Sequence, residues 1–122
     1  MKSNEALAAL AALASEARLA VFRLLVRRGP EGFTPGELTR RLGVPAPTLS
    51  FHLRELVSAG LVTSRREGRN LFYHPELQHM RALMDFLTEN CCSLAEAGSA
   101  PGCPPQPAVA RGSPGAARSR RA

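Results

Sequence analysis

Apolar positions in residues 34–62, TPGELTRRLGVPAPTLSFHLRELVSAGLV, follow two helical periods separated by a short break. Thr34 is a helix N-cap, Pro35 occupies the next position, where no N–H is needed, and Glu37 completes a capping box. That helix ends near Leu42, and Gly43 supplies the left-handed residue that turns the chain. A second helix begins around residues 45–47, buries Leu49, Leu53, Leu56 and Val57, and stops at Ala59-Gly60. Only three or four residues lie between the two, the spacing of a helix-turn-helix. The pattern predicts a unit that lays its second helix into DNA.

The flanking patterns extend this unit. Residues 3–14 read as a helix capped by Ser3 or Asn4, with Leu7, Leu10 and Leu13 on one apolar edge and small alanines elsewhere. Two uses fit it: packing on its own core, or contact with a second copy. Ser15 caps a second helix running to about Arg28, with Leu19, Phe22, Leu25 and Val26 inward and Arg23, Arg27 and Arg28 outward. Residues 29–32 are a break. After Gly60 the period becomes alternating, so residues 61–66 and 71–74 read as strands joined by turn residues 67–70. The hairpin is a wing, and Arg65, Arg66 and Arg69 lie toward its tip. Pro75 closes it and opens a helix over residues 76–90, whose stripe of Met80, Leu83, Met84 and Leu87 is flanked by Leu77 and Phe86. So wide an apolar face exceeds what a small domain readily covers, so packing against the same helix of a second subunit is the expected resolution, and covering its own domain is the alternative. The expected fold is mainly α with a small β-hairpin, a winged helix-turn-helix, homodimeric through its N- and C-terminal helices.

Composition divides the chain into residues 1–92, the DNA-binding and dimerisation domain, and residues 93–122, a Pro/Gly/Ala/Arg-rich tail expected to be disordered from about residue 105. The formal charge of +6 suits a polyanionic partner. Four of the 16 basic residues, Arg111, Arg118, Arg120 and Arg121, fall in the tail, so residues 1–110 hold 12 bases against 10 acids. Position, then, must carry the case for DNA. No apolar run approaches the roughly 20 residues of a membrane span, and Glu5 and Glu16 interrupt the N-terminal alanines and leucines, so no signal peptide forms. These features predict a cytoplasmic protein. No nucleophile–base set, paired carboxylates or Gly-rich phosphate loop suggests an enzyme.

On the second helix, with Leu49, Leu53 and Leu56 inward, Ala46, Thr48, Ser50, Phe51 and Arg54 face out and His52 lies near the edge. Short polar side chains near a helix N-terminus bond phosphates and reach base edges. Phe51 either meets a thymine methyl or packs under the wing. His52 either donates to DNA or serves the structure. Arg65, Arg66 and Arg69 either follow the DNA backbone and adjacent minor groove or belong to a solvated hairpin.

Three cysteines, the adjacent Cys91-Cys92 and Cys103, form an odd, clustered set, which suits a metal or redox site better than a disulfide framework. Three thiolates without an evident fourth ligand suit As(III) or Sb(III) better than zinc, which favours four. Methylated arsenite needs two thiols, and cadmium, lead and bismuth are further soft candidates. A redox switch pairing Cys103 with one of the adjacent cysteines, and incidental cysteines, are the alternatives.

The runs Leu13-Ala14-Ser15-Glu16-Ala17-Arg18-Leu19, Thr48-Leu49-Ser50-Phe51-His52-Leu53-Arg54-Glu55-Leu56, Ala59-Gly60-Leu61-Val62 and Arg66-Glu67-Gly68-Arg69, with Tyr73, resemble the ArsR/SmtB family of bacterial metal-responsive repressors over roughly residues 5–92. The resemblance implies a winged helix-turn-helix homodimer on operator DNA, released when metal binds. Ala46 departs from it, since many relatives carry a base-reading polar residue there. The family's Cys-Val-Cys arsenic site on the first helix of the helix-turn-helix is absent, and so is its zinc site on the last helix, where only His79 occurs. The tail resembles an arsenic-responsive subgroup with a Cys-Cys pair after the last helix and a third cysteine beyond, which implies Cys91, Cys92 and Cys103 as ligands. A winged-helix repressor sensing thiol oxidation and an arsenic carrier that binds no DNA are the competing functions.

Overall fold

In a computed structural model, residues 1–95 are described, and five helices and one hairpin follow in the order α1 (Ser3–Leu13), α2 (Glu16–Arg28), α3 (Pro35–Leu42), α4 (Ala46–Ser58), β1 (Val62–Glu67), β2 (Asn70–Pro75) and α5 (Leu77–Thr88). This is the winged helix-turn-helix expected. Two compact units are distinguished, Met1–Glu89 and a second that begins at Asn90. Among the described residues no helix is long and apolar enough to cross a membrane. Cys103 and the expected disorder from about residue 105 lie outside the described residues.

The helix-turn-helix forms for the reasons its sequence gives. The Thr34 hydroxyl accepts from the Glu37 N–H at 3.2 Å, and the Glu37 carboxylate accepts from the Thr34 N–H at 2.8 Å. Both orphan donors of the first turn are met reciprocally. The Thr34 N–H bond and the Thr34 hydroxyl hold the Glu37 carboxyl below its ordinary titration range. A group depressed in the folded state stabilises above its unfolded pKa and loses that contribution as pH falls. Glu37→Ala is therefore expected to cost about 1 kcal/mol at pH 7, and urea unfolding should show the gap to wild type closing as pH falls below the usual carboxylate range. At the other end of α3, Gly43 takes φ 70° and its N–H donates to the Thr39 carbonyl at 2.8 Å. That left-handed residue redirects the chain into α4.

Leu38 of α3 and Leu49, Leu53 and Leu56 of α4 are buried with Val21, Phe22 and Leu25 of α2, Leu61, Val62 and Leu83. The expected inward set needs revision at four points. Val21 is fully buried, whereas Leu19, Val26 and Val57 are exposed.

Helix α1 turns its alanine face inward. Its buried residues are Ala6, Ala9 and Ala12, while Leu7 is 65% exposed and Leu10 is exposed. Methyl side chains let α1 approach α2, α4 and α5 closely, which turns the leucine edge outward. The cap also differs from the Ser3 or Asn4 expected: Lys2 is the N-cap, and its N–H donates to the Glu5 carboxylate at 2.7 Å. That bond leads the causes that lower the Glu5 pKa.

The wing is a two-stranded antiparallel hairpin in register Val62↔Pro75 through Glu67↔Asn70, turning at Gly68-Arg69. The strands run one residue beyond the expected ends on both sides of the turn. Phe33 adds a bridge to Tyr73 through reciprocal backbone bonds of 2.9 and 2.8 Å. The break before it holds a 3-10 turn, Gly29–Glu31. At Gly32, φ is +74° and a Cβ would stand 2.6 Å from the Tyr73 carbonyl oxygen, so glycine permits the loop to meet the wing. Helix α5 is shorter than expected and buries Leu83, with Met80 and Phe86 partly covered. Leu77, Met84 and Leu87 are exposed.

Candidate nucleic-acid interface and thiol pair

Burial of Leu49, Leu53 and Leu56 fixes the rotation of α4, and Ala46, Thr48, Ser50, Phe51 and Arg54 consequently face solvent. Pro45 is the N-cap and gives no side-chain cap bond, while Pro47 stands in the first turn without an N–H. The open amides there are oriented toward an external acceptor. No acidic side chain lies in this turn to compete with a phosphate. Phe51 is 47% exposed, and its ring meets that of His52 at 5.7 Å with a 58° tilt. His52 is half-buried, and Arg18 of α2 reaches its ring. That arginine sits three residues after the Ser15 cap and was no part of the expected interface; periodicity places it on α2 without revealing a partner 34 residues away.

The three wing arginines separate. Arg65 donates from Nη1 to the Pro30 carbonyl and from Nη2 to the Glu31 carbonyl, both at 2.9 Å. Its Nε pairs with Glu67 at 2.6 Å, and its guanidinium stacks over Phe72 at 5.1 Å. These contacts brace the wing on the 3-10 turn. Arg66 and Arg69 are exposed. On the opposite side of that loop, the guanidiniums of Arg28 and Arg41 each lie 5.0 Å from the Phe33 ring centroid. Arg28 also pairs with Glu31 at 3.5 Å.

In the second unit, Cys91 and Cys92 are half-buried and their sulfurs approach to 3.5 Å. The chain curls locally: the Ser93 N–H donates to the Asn90 carbonyl at 2.9 Å and the Ala95 N–H to the Cys92 carbonyl at 3.1 Å. Asn90 and Cys92 take positive φ values of 61° and 63°. Cys92 is disulfide-bonded. Among the described residues no group of three or more His, Cys, Asp or Glu is arranged to hold a metal. On α5, the His79 Nε2 is buried without a hydrogen-bond partner among the described residues.

The comparisons with known proteins fit this geometry. A helix-turn-helix domain family, HTH_20, matches residues 13–65. The transcriptional activator HlyU of Vibrio cholerae is 32% identical over 90 residues, which cover 74% of this chain and 81% of that protein. The arsenic resistance transcriptional regulator ArsR1 of Pseudomonas putida is 32% identical over 103 residues, covering 75% and 79%. Identity to the regulator KmtR of Mycobacterium tuberculosis is 46% over 48 residues, 39% of this chain and only 37% of that relative. Among solved structures, HlyU superposes with a TM-score of 0.58 over 75% of this chain and 99% of its own. A homodimeric winged helix-turn-helix DNA-binding domain from Mycobacterium bovis, described as a possible ArsR-family regulator, gives 0.59 at 26% identity, over 75% and 82%. These relatives are transcriptional regulators, not enzymes.

Proposed function

Because this chain belongs to the ArsR/SmtB family of transcriptional regulators and carries its DNA-binding helix-turn-helix, we propose that it is a cytoplasmic homodimeric repressor released from its operator when As(III), or Sb(III), binds the thiolates of Cys91, Cys92 and Cys103. Residues 1–92 bind DNA and dimerise in this reading, and residues 93–122 form the tail that brings Cys103. The observation that carries the sensory half is the 3.5 Å approach of the Cys91 and Cys92 sulfurs. Two thiolate bonds to one soft ion, each about 2.3 Å long, span that gap. Sulfur donors select soft ions, and the relative ArsR1 is named for arsenic resistance. The reading requires the Cys92 disulfide to be reduced first.

The DNA half rests on the exposed row Ala46, Thr48, Ser50, Phe51 and Arg54, with His52 at its edge and Arg66 and Arg69 on the wing. Arg65 enters as the brace of the wing. Arg66→Ala and Arg69→Ala should each weaken binding to all duplexes alike and reduce the slope of log affinity against log salt by about 1. Arg65→Ala should instead lower the thermal midpoint and leave that slope unchanged. Fluorescence anisotropy across a salt series, with thermal unfolding beside it, separates the two outcomes.

The exposed Leu7 and Leu10 of α1 and Leu77, Met84 and Leu87 of α5 supply the dimer face. The cysteines follow α5 by three and four residues, so a metal gathered there is placed to disturb the helix that spaces two recognition helices. Operator half-sites about one DNA turn apart require that spacing. Arsenite acts only through its differential affinity for the free and DNA-bound states.

The disulfide at Cys92 favours a second reading, release by thiol oxidation. Titrating the DNA-bound reduced protein with arsenite and, separately, with peroxide distinguishes them. Release by peroxide alone overturns the arsenic reading.

A further inference from the structure

Arg18 joins three helices. Its Nε donates to the Ala12 carbonyl near the end of α1 at 2.7 Å, and its Nη1 lies 3.4 Å from His52 Nδ1 on α4. Its own backbone N–H goes to Ser15 Oγ, so the cap that starts α2 also orients this side chain. A guanidinium carries five donors and no acceptor and stays charged. The contact with His52 therefore has one polarity: Nδ1 accepts, and the ring proton resides on Nε2. In imidazole that second nitrogen lies across the ring from the first, away from Arg18. The exposed Phe51 ring meets the His52 ring at 5.7 Å, and Thr48 is exposed one turn earlier on α4. Arg18 and Glu55 are the charged groups of the cleft between α1, α2 and α4, about 320 Å³ in volume, which Ala8, Ala11 and Ser58 also line.

We infer that Arg18 is a positioning residue for DNA recognition. It holds His52 as an Nε2–H donor and fixes that donor at the edge of the recognition helix, where it bonds a hydrogen-bond acceptor of DNA, a purine N7 or O6 or a phosphate oxygen. This inference rests on the assignment of α4 as the DNA-contacting helix. It adds a residue from outside the helix-turn-helix, and it sets the direction of the hydrogen bond that His52 makes.

The probe is a duplex selected from a random pool by the full-length protein. Arg18→Met and His52→Ala should each weaken binding to it by about tenfold, the worth of one hydrogen bond. The double variant should be no weaker than His52→Ala alone, because Arg18 acts through His52. Glutamine places its amide nitrogen near the Nε2 position and asparagine near Nδ1, so His52→Gln should bind more tightly than His52→Asn. In ¹⁵N spectra of the free protein, His52 Nδ1 should carry the unprotonated signature in wild type. In Arg18→Met it should become a tautomer mixture, with the unfolding midpoint reporting that the fold persists. Loss confined to the selected duplex assigns the acceptor to a base, and equal loss on an unrelated duplex assigns it to phosphate. Additive losses, equal binding by His52→Gln and His52→Asn, or an unchanged tautomer in Arg18→Met would overturn the inference. Wild type that binds no duplex at low salt would sink the DNA assignment itself, whereas wild type that binds beside unaffected variants would sink only the role of Arg18.

Discussion

Arsenite should lift the reduced wild-type protein from its operator and leave the Cys91→Ser, Cys92→Ser double variant bound. Allosteric coupling between an effector and DNA typically weakens affinity roughly 5–150-fold, and in the double variant the factor should fall to about 1. The reason lies in the donor set. The sulfurs of Cys91 and Cys92 stand 3.5 Å apart, and serine oxygen is a hard donor that a thiophilic ion disfavours. DNA affinity without arsenite should be unchanged, because neither cysteine lies on α4 or the wing. Cys103→Ser separates the ligands further: inorganic arsenite should lose most of its effect, whereas a methylated arsenite, which needs two thiols, should retain it. Anisotropy titrations of the three proteins read all of this directly. Full release of the double variant by arsenite would place the sensor elsewhere.

Met84→Glu with Leu87→Glu should convert a dimer into a monomer and weaken operator binding by roughly 10²–10⁴-fold, the usual gain from linking two binding modules. Met84 and Leu87 are 59% and 55% exposed, on a helix whose Leu83 is buried in its own subunit. Introduced carboxylates would face the partner's apolar surface unpaired, which opposes association. The fold should survive, since neither side chain belongs to the buried core. Sedimentation velocity and thermal unfolding together check both halves. A variant that stays dimeric would show that the α5 face is not the interface.

How far the sequence could reach is clearest in particular residues. The Thr34–Glu37 capping bonds and the Gly43–Thr39 bond close over three and four positions, so the cap and the turn were legible from spacing alone. The Leu49–Leu53–Leu56 stripe fixed the outward residues of α4 for the same reason. By contrast, the leucine edge of α1 fitted two uses from sequence, its own core or a second copy. Close approach made the alanine face the inner one, because the methyl side chains of Ala6, Ala9 and Ala12 let α1 meet three neighbouring helices. The arginines show the same limit. Arg65, Arg66 and Arg69 are equivalent as hairpin positions, but two loop carbonyls and Glu67 claim Arg65 and leave the other two exposed.

By itself, then, the chain determined the helix-turn-helix of residues 34–62 and the hairpin that follows it, because these depend on caps, turns and periods that close over short separations. Tertiary structure alone decided that the alanine face of α1 is the inner one, that Arg65 braces rather than projects, and that Arg18 reaches His52. Each of those outcomes depends on contacts between segments far apart in the chain, where side-chain size and the supply of nearby carbonyls, not local pattern, set the lowest free energy.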